Sequence, residues 1–274
     1  MFPGFDVNAL RLPYYDGAGN DFFVYDARIL SDAVAYPELA QYVCDRQGPF
    51  GGADGLLVIR AISDSLADVE LRIFNADGSE PEMCGNGARC AVRYLLEENG
   101  TKITMQTLAG LIVGEIISRE APFTVQIDLG PPRLLTDSLA SHTLMLEGRS
   151  WEFDYLSFGN PHIVVLVSDV EQIDLRRLGP QFERAPLFPL GTNVHFVQVL
   201  DTESLRVRHW ERGVGATLAC GTGAAASAVV AIQRGLVSSP VRVFVPGGTL
   251  GIVWSGANAQ LRGPVVRHSV EGLA

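Results

Sequence analysis

Alternating apolar and polar positions mark strands at several places along the chain. Val69, Leu71 and Ile73 alternate with Glu70, Arg72 and Phe74, which predicts a strand with one partly polar face. Residues 123–129 alternate in the same way, as do 241–245 and 250–254. Unbroken apolar runs lie at Phe22-Phe23-Val24-Tyr25, Leu56-Leu57-Val58-Ile59 and Ile163-Val164-Val165-Leu166. Helical patterns are fewer. One runs from about Gly85 to Glu98 and stops at Asn99-Gly100, a favourable C-cap pair; another runs from about Gly221 to Arg234 and stops at Gly235. Ala224 to Ile232 of the second helix has almost no polar face, so that helix is expected to be buried on most sides.

The pattern occurs twice. Gly19-Asn20 precedes the run at Phe22, and Gly159-Asn160 precedes the run at Ile163. Asp54 leads into Leu56–Ile59, and Asn193 leads into His195-Phe196-Val197-Gln198. Phe74-Asn75 stands ten residues before Cys84, as Trp210-Glu211 stands ten before Cys220. These matches keep their order at offsets of 136 to 140 residues, which a chance repeat would not do. The fold class expected is α+β: two structurally similar halves related by a pseudo-two-fold, each a mixed, mostly antiparallel sheet wrapped around a central helix. Gly130-Pro131-Pro132 sets the expected boundary. Residues 1–129, joined by the C-terminal strand 263–274, form the half carrying Cys84; residues 130–262 form the half carrying Cys220.

Length and charge narrow the function classes. The 274 residues carry a formal net charge of −10, with no basic run, which argues against nucleic-acid binding. No stretch approaches the roughly 20 apolar residues of a membrane span, and the N-terminus lacks the pattern of a signal peptide, so a cytoplasmic location is expected. Four cysteines are too few for a disulfide scaffold.

Two of those cysteines carry the chemistry. Cys84-Gly85-Asn86-Gly87-Ala88 and Cys220-Gly221-Thr222-Gly223-Ala224 each open a predicted helix. A thiol at a helix N-terminus ionises more easily, because outward-facing backbone N–H groups stabilise the thiolate. Inverting a carbon next to a carboxylate requires a base on one face and an acid on the other. Two such thiols supply both near neutral pH, and the first-turn amides offer donors for the developing charge.

These motifs resemble the diaminopimelate epimerase family. Asn75-Ala-Asp-Gly-Ser79 leading to Met83-Cys-Gly-Asn-Gly-Ala-Arg89 carries the likeness, with Trp210-Glu-Arg-Gly-Val-Gly215 leading to Ala219-Cys-Gly-Thr-Gly-Ala224. Residues 17–22, 157–162, 191–193 and 246–248 fit the same pattern. The resemblance implies interconversion of LL- and meso-diaminopimelate for lysine and peptidoglycan synthesis, without cofactor or metal, by a homodimer whose site lies between the two halves. Position by position, Cys84 and Cys220 match the acid/base pair. Asn20, Asn75, Gly85, Asn86, Asn160, Asn193, Glu211, Arg212, Gly221 and Thr222 match substrate-binding positions. His162 and Glu211 match residues that tune the thiols. Arg212 can grip a carboxylate and Glu211 an ammonium. Asn193 and Arg212 have no like counterparts in the other half, where Asp54 and Ala76 occupy the corresponding positions, so the two halves differ at the far end of the substrate. Two departures stand out: the turn Gln47–Gly52 is one residue longer than usual, and Gly55 stands where some members carry a Gln.

Other readings remain. A racemase of proline or hydroxyproline type would also carry paired cysteines. A non-catalytic amino-acid-binding protein would need the polar holders alone, and a thiol–disulfide protein the cysteines alone. Cys44 and Cys90 are expected to be buried small hydrophobes. His142, His195, His209 and His268 are expected to be surface or packed residues rather than ligands. The glycine runs imitate a dinucleotide loop only weakly, with no acidic residue about 20 positions on.

Overall fold

In the computed structural model, residues 10–30, 34–63, 66–135 and 142–269 are described. Residues 1–9 and the last residues of the expected strand 263–274 lie outside them. The chain divides into two compact units, Met1–Val125 with Pro264–Ala274, and Gln126–Gly263.

The first unit begins with strands β1 (Tyr14–Asp16) and β2 (Asp21–Asp26), paired antiparallel. Helix α1 (Tyr36–Val43) then links β2 to β3 (Gly55–Arg60), and these strands run parallel, as a helical crossover requires. Strand β4 (Val69–Asn75) returns antiparallel to β3. Helix α2 (Gly85–Leu96) follows, then β5 (Lys102–Thr107) parallel to β4 and β6 (Gly110–Ser118) antiparallel to β5. Strand β7 (Thr124–Asp128) carries the chain onward into the second unit.

The second unit repeats this order after a short strand β8 (Arg133–Leu134) and a hairpin of β9 (His142–Leu146) with β10 (Arg149–Ser157). Strand β11 (Pro161–Leu166) is antiparallel to β10; helix α3 (Leu175–Glu183) crosses to β12 (Asn193–Asp201), parallel to β11. Strand β13 (Ser204–Glu211) is antiparallel to β12 and turns into β14 (Gly215–Thr217). Helix α4 (Gly221–Gln233) precedes β15 (Val241–Val245), parallel to β13, and β16 (Gly248–Val253), antiparallel to β15. Strand β17 (Gln260–Pro264) closes the unit, and β18 (Val266–His268) pairs with β1 of the first. The two units thus share one element order, and the α+β class holds.

The unbroken apolar runs have a physical cause: both faces of these strands are buried. In the first unit, Phe23, Tyr25, Leu56, Val58 and Phe74 pack with Leu39, Ala40 and Val43 of α1. Their neighbours Phe22 and Leu57 point to the other face, where a Cβ on Gly87 of α2 would meet both. In the second unit, Ile163, Val165, Val194 and Phe196 pack with Leu178 and Phe182 of α3. The opposite face lies against α4, whose residues Gly221 to Ala231 are all buried.

Candidate active site

The start of α2 builds one cluster. Cys84 occupies the N-cap, and its Sγ accepts a hydrogen bond from the Gly87 N–H at 3.4 Å. A thiol thereby takes the place usually held by a Ser or Asp oxygen. Strands β2 and β3 begin, and β4 ends, at one edge of the sheet, because β2 and β3 run parallel and β4 against them. Asn20 stands just before β2 and Asn75 at the last position of β4. Asn20 donates from Nδ2 to Asp54 Oδ2 at 2.7 Å, and its Oδ1 receives Asn86 Nδ2 at 3.4 Å and lies 3.7 Å from Cys84 Sγ. Asn75 donates to Ser79 Oγ at 2.9 Å. Asn86 is buried at the second helical position, and its Oδ1 accepts from Arg89 Nη2 at 3.1 Å.

Arg89 was not anticipated as part of this cluster. It is fully buried in α2 and also reaches the Gly85 carbonyl, at 3.5 Å. Burial pulls its acidity the unusual way, toward the neutral form, while Cys90, Cys84 and Asp16 pull back. Arg46 pins the preceding loop by bridging Asp21 Oδ1 at 2.7 Å and Asp54 Oδ1 at 3.0 Å. Gly55 has a steric reason: a Cβ there would lie 2.6 Å from the Phe74 carbonyl oxygen, so a Gln at this position would need a displaced strand.

The start of α4 builds the second cluster. Cys220 is again the N-cap residue, buried, with Sγ 3.7 Å from Thr222 Oγ1. Glu211 ends β13. Burial raises its carboxyl pKa, opposed by hydrogen bonds from Thr217, at 2.6 Å, and from Cys220. Asn193 begins β12 and is held at both ends of its amide, donating to the Pro161 carbonyl at 2.8 Å and accepting from the Arg212 backbone N–H at 3.0 Å. Its counterpart needs correction. Strand register pairs His162 with Asn193 as it pairs Phe22 with Gly55, so Gly55, not Asp54, stands in the equivalent place. Among the described residues, the Arg212 guanidinium forms no ion pair, yet its charge is felt at His162 and Tyr155.

Asn160 stands in the turn before β11, and its Oδ1 lies 2.8 Å from His162 Nε2. His162 Nδ1 lies 2.8 Å from His195 Nε2, and His195 Nδ1 lies 2.8 Å from His209 Nδ1. All three imidazoles are fully buried, which pushes His162 and His209 each down to about 3 and His195 well below its ordinary value. His195 and His209 were expected to be surface or packed side chains; they are packed, but as members of a hydrogen-bonded row. Strand pairing gives the signal in retrospect, since His195 and His209 are direct cross-strand partners.

Cys44 and Cys90 are buried, and burial pushes the Cys44 thiol up to about 12 and the Cys90 thiol higher still. Among the described residues no group of His, Cys, Asp or Glu is arranged to hold a metal, and no cysteine is in a disulfide.

A family model described as diaminopimelate epimerase matches residues 14–135 and 155–268. The chain belongs to the diaminopimelate epimerase family. Curated relatives agree. A diaminopimelate epimerase of Gloeothece citriformis is 41% identical over 272 residues, covering 92% of this chain and 95% of that protein. One of Trichodesmium erythraeum is 43% identical over 257 residues, covering 88% and 90%. Among solved structures, a hydroxyproline epimerase from Agrobacterium vitis shares the fold with a TM-score of 0.72 at 18% identity, covering 94% of this chain and 90% of that one. Diaminopimelate epimerases are isomerases, and no described helix here is long and apolar enough to cross a membrane.

Proposed function

We propose that this chain interconverts LL- and meso-diaminopimelate by two-base proton transfer, with Cys84 and Cys220 as the acid/base pair. One observation carries the reading: in both repeats a cysteine forms the N-cap of a buried helix opened by glycine. A thiolate there removes the α-proton and becomes a thiol. The carbanion left behind spreads its charge onto the adjoining carboxylate. The second thiol gives its proton to the opposite face and becomes the thiolate. Atoms and charge balance without a cofactor or metal, and the reverse reaction exchanges the roles.

The first-turn segments Gly85-Asn86 and Gly221-Thr222 direct backbone N–H groups out of each helix end, where they meet the charged carboxylate. Asn20, Asn75, Asn160 and Asn193 hold the substrate's polar groups. Arg212 binds the distal carboxylate and Glu211 an ammonium. Glu211 and His162 set the ease with which the thiols ionise. Membership of the family supports this assignment of roles, and also a homodimer working in the cytoplasm.

The test is a chirality assay with LL-diaminopimelate and no added cofactor. Cys84→Ala and Cys220→Ala should each lose activity by roughly 10²–10⁴-fold or more, the range for loss of a general acid or base, with unchanged circular dichroism. Turnover within a few-fold of the parent in either variant removes that thiol from the mechanism. A panel including L-proline and hydroxyproline separates the related racemase activity.

A further inference from the structure

The repeat supplies its own control for the buried histidine row. The positions of His162, His195 and His209 on β11, β12 and β13 correspond by strand register to Phe22, Leu57 and Ile73 on β2, β3 and β4. All six are buried. The surroundings match too: a Cβ on Gly87 would lie 2.9 Å from Leu57 Cδ2, and one on Gly223 would lie 2.3 Å from His195 Cε1. Apolar side chains therefore fill this place in one unit without difficulty. Three buried imidazoles are costly by comparison, because each must satisfy two ring nitrogens away from water. Packing alone does not account for them.

Their hydrogen bonds have one direction. A neutral imidazole carries one N–H and one lone pair. Asn160 Oδ1 can only accept, so His162 donates from Nε2 and accepts at Nδ1. His195 then donates from Nε2 to His162 and accepts at Nδ1. His209 donates from Nδ1 to His195. Its Nε2 is left as a buried lone pair with no partner among the described residues, the natural end of the row. A row running the other way would bury an unpartnered N–H at that end instead, and would require the Asn160 amide to turn over.

We infer that His195 and His209 are positioning residues: they fix His162 as the Nε2–H tautomer, which holds the Asn160 oxygen and leaves its NH2 group as the donor offered to the substrate carboxylate. The inference rests on the proposed placement of Asn160 in the substrate site. In the first unit, the equivalent Asn20 is oriented differently, through Asp54 and Asn86. The two asparagines thus reach their orientations by unlike means, one by Asp54 and Asn86 and one by a buried row of imidazoles.

Two arms test this. In the intact protein at pH 7, nitrogen-15 NMR of the imidazoles should show Nε2–H tautomers for His162 and His195 and Nδ1–H for His209. A His162 found as Nδ1–H, or as imidazolium, overturns the inference without any assay of activity. In the kinetic arm, His195→Leu, the residue type present at the equivalent Leu57, should lower kcat/KM roughly tenfold, the scale of one lost hydrogen bond. It should also mix the His162 tautomers. His195→Gln can still donate to His162 and accept from His209, and should recover most of that loss. In an Asn160→Ala background, His195→Leu should have no further effect on kcat/KM. Losses that simply multiply, or a His195→Gln variant as poor as His195→Leu, refute the relay. If Asn160→Ala alone leaves kcat/KM unchanged, Asn160 is outside the site and the row has no role in catalysis, while the NMR arm still reports its direction.

Discussion

Acid should weaken this fold well above the pH at which carboxylates titrate. His162 and His209 are each held down to about 3 by burial, and His195 well below its ordinary value, against about 6.5 in the unfolded chain. Between those values the unfolded chain binds protons that the folded chain does not, so folding stability falls as pH falls. Each group removes about 1.4 kcal/mol per pH unit below 6.5. At pH 5 that is about 2 kcal/mol each for His162 and His209, about 4 kcal/mol for the two, with His195 acting in the same direction; this is a large share of the stability of many domains. Asp21 and Asp26 sit below their ordinary value, so their contribution is present above about 4 and is lost only in stronger acid. Glu211, raised by burial, acts in the opposite sense and offsets part of the effect as pH falls. The assay is urea unfolding followed by tryptophan fluorescence at constant ionic strength from pH 7.5 to 5. The midpoint should fall steadily below pH 6.5, and His209→Leu should make that fall shallower. A midpoint that does not move before pH 5, or equal slopes in parent and variant, would show that the row does not stay neutral.

Gly179→Ala should destabilise the second unit by roughly 1–3 kcal/mol, the range for overpacking, because its Cβ would lie 2.3 Å from Trp210 Cδ2; an unchanged Tm would show that α3 can move away at little cost. Arg212→Ala should lower kcat/KM for diaminopimelate roughly thirtyfold, as expected for a lost charged hydrogen bond; unaltered saturation kinetics would remove Arg212 from the distal carboxylate. Gly223→Ala should impair the enzyme through His195, which its Cβ would approach to 2.3 Å; a variant with parental kcat/KM and Tm would argue that the ring has room to shift.

The parts of the fold legible in the sequence were those whose pattern is strong by itself. Alternation located β4, β7, β15 and β16, and the glycine-opened runs located α2 and α4. The repeat gave the shared element order. Helices α1 and α3 escaped because they are short and carry residues that usually break helices. Pro37 falls in the first turn of α1, where a missing N–H does no harm. Gly179 and Pro180 fall inside α3, where Gly179 lets the helix approach Trp210. Of the candidate site, the two cysteine motifs marked Asn86 and Thr222 at the helix starts, while Asn75 and Glu211, at strand ends, were reached through the family resemblance. It could not show that Arg89 turns inward onto Asn86, or that His162, His195 and His209 align across three strands. Both depend on pairing between distant segments, and cross-strand register is not written in local spacing. The same dependence explains why Asn193 corresponds to Gly55 rather than to Asp54.

The most direct test of the two-thiol account is isotopic. Conversion of LL-diaminopimelate in deuterated buffer should give meso product carrying solvent deuterium at the inverted carbon, because the thiol that delivers the proton is not the one that removed it. Meso product that keeps its original hydrogen at that carbon would contradict the account.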